Sequence, residues 1–550
     1  MTVDTLLTLL ALLTAVYAVL SRTRRLDVSL RLRWLDWLIA IVALLLAHYL
    51  LFYPFFMSIG CAVAWPVERA SFPPRDAAYL LVVAIIAFLI WRSRRGKLPR
   101  HKIGQFRDLV TSLLADERYA DVVALLENHL DRVIRIRDVD FLLPGWRCRL
   151  ERLSVPLWER GLGASVEHQL PESGTQRASL SDKVARWFRS AVSWVARLLP
   201  SGKGDAEVAE EIVTTIMLSR TFTTAIARFR PYFAFKLLSK RLLQTEDFLD
   251  GYLGSLLSEP DSILYFEVKN NQDLGLGYMP ARRYEVPTSN RLLHFFLSDA
   301  RVAKRHMIWK PIGEELIRAL DELRKTSETD PYNGDMGDYG VRGKWTCPLY
   351  VGIAFFDIMV SEALYQGIQW HMFLWYFEYF VARIVRNSRF DASKLEEPDS
   401  ECPTRYSYLL YEIVSTLCHW IVAATTVPSQ DNVRLAHVDL SYETWNIPKS
   451  SIIALNQCLC EILPAQNVSS VLKESIMGMV FRLYFGLRAH KETEEHARVL
   501  ALALKQKERG STYESDDGFR RAVLGYFEGF DKNPPYPHEH VKELREFLQE

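Results

Sequence analysis

The first ninety-one residues hold three apolar segments, and arginine clusters mark their ends. The segments are Thr5–Leu20, Trp34–Trp65 and Ala77–Trp91; SRTRRLDVSLRLR follows the first and RSRRGKLPRHK follows the third. A bilayer core of ~30 Å takes ~20 apolar residues as a helix. The second segment exceeds that length, and the first, counted from Val3, is interrupted only by Asp4 and a few threonines. The third, at about fifteen residues, makes ~22 Å of helix. It spans only with bilayer thinning or arginine snorkelling, at modest cost; lying in the interface is its alternative. The pattern predicts three membrane-spanning helices.

Orientation follows from Lys/Arg asymmetry near helix ends. The first loop carries Arg22, Arg24, Arg25, Arg31 and Arg33, and the stretch after the third segment carries Arg92, Arg94, Arg95, Lys97, Arg100 and Lys102. Between segments two and three stand only Arg69 and Arg75. Both clusters are therefore expected in the cytoplasm, with the N-terminus outside and everything after Trp91 inside. A cleaved signal peptide carries its positive charge before the apolar run, whereas here the charge follows it. His48 and Pro54 lie within the second segment; the expectation is a neutral imidazole bonded inside the helix bundle and a proline kink.

About 460 of the 550 residues remain after Trp91, enough for two or three domains. With 67 Lys+Arg against 66 Asp+Glu, no general field attracts nucleic acid, while the basic clusters favour anionic lipid of the inner leaflet. The seven cysteines are scattered, which fits a reduced compartment and no disulfide framework. Cys418-His419 and Cys458-x-Cys460 lack the two-residue spacer usual in structural zinc sites, and read as ordinary helix thiols. No metal and no cofactor are expected.

Five regions follow from patterning: 1–91 the transmembrane anchor, 92–136 a juxtamembrane helical hairpin, 137–205 a linker, 206–390 a central mostly helical domain, and 391–550 a C-terminal helical domain. Phe106, Leu109, Val110, Leu113 and Leu114 form one helical stripe; Tyr119, Val122, Val123, Leu126 and Leu130 form the next, across the tight connection Ala115-Asp-Glu-Arg. ADERYADVVALLENHL is similar to the hairpin of a tetratricopeptide-type repeat, over that single hairpin and with no second copy at a 34-residue period. In the linker, SDKVARWFRSAVSWVARLL places Trp187, Phe188 and Trp194 at helical spacing, with Arg186 and Arg189 mainly on other faces. That composition belongs to a helix lying in the membrane interface; packing on a protein surface is the alternative. The fold class expected is mainly α, with at most a few short strands: DSILYFEVKN reads as one, and VRLAHVDLSYETW is a candidate for another. Pro348–Arg386, with Asp357, Glu362, Gln366, Gln369, His371 and Glu378, is too polar for a further span and reads as a buried helix broken at Gly367.

The sequence contains no P-loop, dinucleotide glycine fingerprint, HExxH or G-x-S-x-G. The Gly/Asp loop Asp330–Lys344 fails the calcium-loop pattern, with Asp338 where glycine and Lys344 where glutamate is needed. Pro260-Asp261 with Glu267-Val-Lys269 resembles the PD-(D/E)xK nucleases over about ten residues. The resemblance implies acidic metal ligands and a lysine that helps activate water, yet five intervening residues are too few for that family's hairpin. Among the polar residues of Pro348–Arg386, Glu362 is the first candidate for acid–base catalysis, then Asp357 and His371, because an unpaired buried carboxylate has a raised pKa; a satisfied buried network, with Arg282 or Arg283, is the alternative. ARRYE and Lys304-Arg305-His306 offer cations to an anion or to solvent.

The expectation is a membrane-anchored cytosolic helical protein, in the inner (plasma) membrane of a bacterium. It would act as a sensor, scaffold or effector through an unidentified protein partner or a second copy of itself; stress response or phage defence suits that architecture. A hydrolase or nuclease around Glu362 or Glu267, and a membrane-perturbing or channel-like effector, are the rival readings.

Overall fold

The computed structural model describes residues 22–32, 34–60, 73–138, 203–240, 242–271, 286–325, 330–368, 372–389, 400–426, 433–443, 445–509, 512–530 and 536–550. The first apolar segment, the Trp187–Trp194 helix, Arg282, Arg283 and His371 lie outside the described residues. The chain divides into two compact units, Met1–Ile216 and Met217–Glu550.

The first unit contains α1 (Arg22–Arg31), α2 (Trp34–Leu51), α3 (Tyr53–Ser58), α4 (Pro74–Arg95), α5 (Ile103–Ala115), α6 (Tyr119–Arg137) and most of α7 (Lys203–Leu218). α2 and α4 pack along each other, and they run antiparallel, because Asp36 near the start of α2 meets Arg92 near the end of α4 at 3.1 Å. Both are long and apolar enough to cross a membrane, yet only 17% and 11% of their most apolar stretches is buried. Trp34, Trp37, Val42, Leu45 and Leu80 face outward. α4 is 22 residues long, ~33 Å, because Pro74–Asp76 and Arg92–Arg95 extend the helix beyond its apolar core. It stops at Gly96, where a Cβ would lie 2.6 Å from the Arg92 carbonyl oxygen and 2.9 Å from Arg31 Cβ; the missing side chain lets α1 pass close. Pro54 sits in the first turn of α3, just after the break at Phe52, where its missing N–H costs nothing. His48 is exposed, its ring 5.1 Å from Phe52.

α5 and α6 bury the two stripes expected of them, Phe106, Val110 and Leu113 against Val122, Val123, Leu126 and Leu130. Glu117 turns the corner with a left-handed φ of 56°, and the Arg118 N–H closes on Leu113 O at 2.9 Å. Ion pairs Arg100–Asp205, Arg107–Glu211 and Arg137–Glu210 tie α7 to this region.

The second unit is almost entirely helical: α8 (Arg220–Phe229), α9 (Phe233–Leu238), α10 (Thr245–Ser258), α11 (Ile263–Asn270), α12 (Arg291–Leu297), α13 (Ala300–His306), α14 (Trp309–Lys325), α15 (Pro348–Tyr365), α16 (Tyr376–Asn387), α17 (Arg405–Thr426), α18 (Ile447–Ile462), α19 (Ser470–Arg488), α20 (Glu494–Lys505), α21 (Asp517–Phe530) and α22 (His538–Gln549). Packing passes from α8 to α10, α14, α16, α18 and α20, with α15, α17 and α19 against this series. Gly313 on α14 faces the Tyr376 ring, where a Cβ would approach to 2.5 Å, and Gly352 on α15 similarly admits Leu316. α15 and α17 are also apolar enough to cross a membrane, but are 83% and 61% buried within the protein.

Two expectations are corrected. DSILYFEVKN is helical from Ile263: Leu264, Tyr265 and Val268 are buried while Phe266 is 69% exposed. A strand would put Leu264, Phe266 and Val268 on one face; packing on neighbouring helices overrides the β-preference of these residues. VRLAHVDLSYETW forms no strand among its described residues. The strands are β1 (Gln506–Arg509) and β2 (Thr512–Ser515), an antiparallel hairpin directly after α20. The break at Gly367 is as expected. Its φ is 69°, with Ile368 N–H on Ala363 O at 2.8 Å and Gly367 N–H on Leu364 O at 3.1 Å, the paired bonds of a Schellman motif.

Candidate functional site

Glu362 and Asp357 are both buried on α15, but five residues apart they leave the helix in different directions. Glu362 is fully buried and accepts from Gln366 Nε2 at 2.8 Å. The same Gln366 carboxamide donates to Leu297 O and accepts from Ala300 N–H, both at 2.7 Å. It thus joins the end of α12 to the start of α13, satisfying backbone groups that helix ends leave open. Asp357 instead accepts from Trp420 Nε1 on α17 at 3.1 Å. Among the described contacts, the two carboxylates serve two different helix junctions. Gln366→Leu removes the hydrogen bonds to Glu362, the Leu297 carbonyl and the Ala300 N–H at once, and should lower stability by about 2 kcal/mol or more, read as a shift in the denaturation midpoint.

Glu267 ends on a helix terminus. It accepts from Leu292 N–H at 2.8 Å and Leu293 N–H at 3.0 Å, the first turn of α12, and from Tyr232 Oη at 3.4 Å. Burial pushes its carboxyl pKa up, while those hydrogen bonds and Arg291 pull it back, leaving a net rise. Arg291 lies over the Tyr232 ring at 4.0 Å. Asp330, in the Gly/Asp loop, similarly accepts from Tyr332 N–H at 2.9 Å and Tyr406 Oη at 2.7 Å. Lys304 and Arg305 lie in the last turn of α13, where the negative end of the helix dipole favours cations, while burial lowers the pKa of His306 beside them.

The densest polar constellation gathers around Lys449, in the first turns of α18. Its side chain is 0% exposed. The ammonium donates to Glu443 Oε1 at 2.6 Å, His437 O at 2.8 Å, Asp439 Oδ1 at 2.9 Å and Ser441 Oγ at 3.2 Å. Glu443 also accepts from the N–H groups of Ala436 and His437. Asn446 caps α18 through Lys449 N–H at 2.9 Å and donates to Arg434 O at 2.8 Å. The segment 433–443 is therefore wrapped around one buried cation, the physical reason it forms no strand. The Ser441 hydroxyl, then Lys449, hold the Asp439 carboxyl down at about 2 against its burial. His496 on α20 is buried, and the Val433 backbone lies close without completing a hydrogen bond to either ring nitrogen; burial pushes its pKa down to about 4. Sequence reading missed this knot. Its signal was the run Asp439-x-Ser441-x-Glu443-x-x-Asn446-x-x-Lys449, acceptors gathered just before a helix start.

Beside the knot opens a cleft of about 680 Å³. Trp375, Tyr379 and Tyr442 line it with Glu378, Asp439 and Gln457, and the Trp375 and Tyr442 ring centroids are 5.1 Å apart. A second cleft, about 510 Å³, runs between α17 and α19 past Cys418, His419 and Arg482. Burial raises the Cys418 thiol to about 12 and Cys458 well above its ordinary value, which opposes the thiolate that a metal needs. No group of three metal-ligating side chains occurs among the described residues.

The first unit holds a third cleft, about 610 Å³, bordered by Arg24, Asp27 and Arg31 of α1, Arg94 of α4 and Asp121 and Asn128 of α6. Buried His129 Nε2 lies 2.6 Å from Asp27 Oδ1, whose other oxygen takes Arg31 at 2.5 Å. Arg31 also donates to the carbonyls of Ser93 and Arg94, at 3.2 and 3.3 Å, and Lys102 Nζ donates to those of Ser29 and Leu32. Burial opposes the Asp27 carboxylate, but hydrogen bonds from His129 and Arg31 and their charges outweigh it and hold its pKa low. α1, the end of α4 and α6 are thus joined by one ionic hub. The chain matches no family model, no curated protein and no solved structure.

Proposed function

We propose that this chain is a membrane-anchored helical protein whose cytoplasmic body acts as a sensor, scaffold or effector through protein contacts. One observation carries the anchor. Of the four helices among the described residues that are apolar enough to cross a bilayer, α15 and α17 are covered by protein, whereas α2 and α4 keep their apolar surfaces outward. Such surface is costly in water and favourable in lipid. The Arg31–Ser93 and Asp36–Arg92 contacts gather both basic clusters at one end of the α2–α4 pair, which supports a shared cytoplasmic end with the N-terminus outside. Arg24 and Arg94 at the hub cleft favour anionic lipid of the inner leaflet. A binding role for the body is supported by Glu362, Asp357 and Glu267 being engaged at helix junctions and a helix start.

Replacing Leu44 and Leu45 of α2 together by arginine tests the anchor. Each arginine at mid-span opposes insertion by about 2.5–3.5 kcal/mol. The doubly substituted segment should lose most of its insertion in a glycosylation-reporter assay, while the native chain stays with membranes after alkaline wash. A native chain recovered in the soluble fraction without detergent would overturn the anchor.

A further inference from the structure

We propose that the cleft between α17 and α19 binds a small amphiphilic carboxylate, with the head group on Arg482 and the apolar tail over Leu483, Leu487 and Val422. The cleft holds about 510 Å³, within the ~300–1,000 Å³ of small-ligand sites. Leu483 and Leu487 are buried and give it an apolar floor, while Val422 is 42% exposed on the facing helix. Arg482 is exposed and makes no ion pair or hydrogen bond among the described residues. Its charge reaches both Tyr411 and Cys418, which line the cleft from α17. The Ser415 hydroxyl lines the same wall and is likewise without a hydrogen bond among the described residues. No carboxylate lines the cleft among its described residues. The nearby acidic groups, Glu401 and Glu412, act at Tyr411, and Glu412 is hydrogen-bonded to Tyr408. Cys418 stays a neutral thiol, because burial raises it to about 12. A cation would therefore meet like charge at Arg482, whereas the arginine fork matches the two oxygens of a carboxylate. Arg482 is the one permanently charged side chain among the described lining residues, so a dianionic phosphate would bring two charges to one. Gly486 supplies the room. It lies one turn beyond Arg482 on the same face of α19, is exposed, and a Cβ there would meet no atom within 4 Å. Glycine weakens a helix relative to alanine, and neither close packing nor a left-handed φ requires it at this position; the space it leaves open belongs to the cleft.

The test is calorimetric titration of the full chain in a non-ionic amphipol, which leaves no free detergent tail to compete. The probes are hexanoate and 3-phenylpropanoate, with hexanamide, hexylammonium and inorganic phosphate as controls. The expected result is saturable binding of at least one carboxylate, in about the millimolar range or tighter, with every control at least about tenfold weaker. Arg482→Gln removes the charge and Gly486→Leu fills the cleft; each should weaken carboxylate binding by about tenfold. Both positions are exposed, so both variants should keep the native unfolding midpoint, and either one carries the test should the other disturb folding. Absence of saturable binding by both carboxylates, any control bound as tightly as they are, or binding unchanged in either folded variant would overturn the proposal.

Discussion

Lys449→Met should destabilise the second unit by about 3–5 kcal/mol, the range for removing one partner of a buried ion pair. The ammonium is the shared donor for Glu443, Asp439, Ser441 and the His437 carbonyl. Without it, Glu443 remains buried with two backbone N–H donors among the described residues, each longer than 3.1 Å, and the wrapped segment loses its centre. Asp439 contributes little to the loss, because its side chain is 54% exposed and solvent screens it. Thermal unfolding of the detergent-solubilised chain should show a midpoint roughly 5–10 °C lower. Adding Glu443→Gln to Lys449→Met should recover much of the loss, since it removes the stranded charge; a double variant worse than the single would contradict this account. The same cycle tests whether the knot holds the wall that carries Tyr442.

The second large effect is a pH dependence centred on His496. Its folded pKa of about 4 lies below the ordinary 6.5, so between those values the unfolded chain binds a proton that the folded chain does not. Stability therefore rises with pH across this window and falls as the medium is acidified. The full contribution is present above pH 6.5 and is lost as pH falls toward about 4. At ~1.36 kcal/mol per pKa unit, a shift from 6.5 to about 4 corresponds to roughly 3 kcal/mol. Glu267 works the other way, its raised pKa favouring the folded state as acidity increases, so the informative quantity is the difference between native chain and His496→Phe. That difference should be within about 1 kcal/mol at pH 7.5, because the ring completes no hydrogen bonds that phenylalanine would forfeit. It should grow to roughly 3 kcal/mol in favour of the variant near pH 4. Parallel pH profiles for the two proteins would show that the imidazole titrates normally, and hence that it is solvated.

The helical class and many helix positions were legible because stripes at i, i+3, i+4 and i+7 report a buried face within one segment. Phe106–Leu113 and Val122–Leu130 are such cases, and Gly367 marked a break whose left-handed backbone favours glycine. Two segments misled for different reasons. In DSILYFEVKN, β-branched and aromatic residues matched a strand as well as a helix, and only neighbouring helices decided that Leu264 and Tyr265 turn inward while Phe266 does not. In VRLAHVDLSYETW, the acceptors that fold the segment serve a donor several residues further on, which no periodicity registers. The Glu362 environment was half legible: its relation to Gln366 follows from i, i+4 spacing, but the Leu297 carbonyl and Ala300 N–H that complete the junction come from sixty or more residues away.

Local composition alone determined that this chain carries helices apolar enough to cross a bilayer, that arginines crowd their ends, and that most of the rest is helical. Hydropathy and spacing are properties of a segment and need no partner. Tertiary structure decided which apolar helices are covered, α15 and α17 inside the body, α2 and α4 outward. It also decided that Glu267 caps a helix, that Glu362 supports a junction, and that one buried lysine organises a loop and the wall of a cleft. Coverage and hydrogen-bond satisfaction depend on what folds against a residue, and those neighbours are brought from distant parts of the chain.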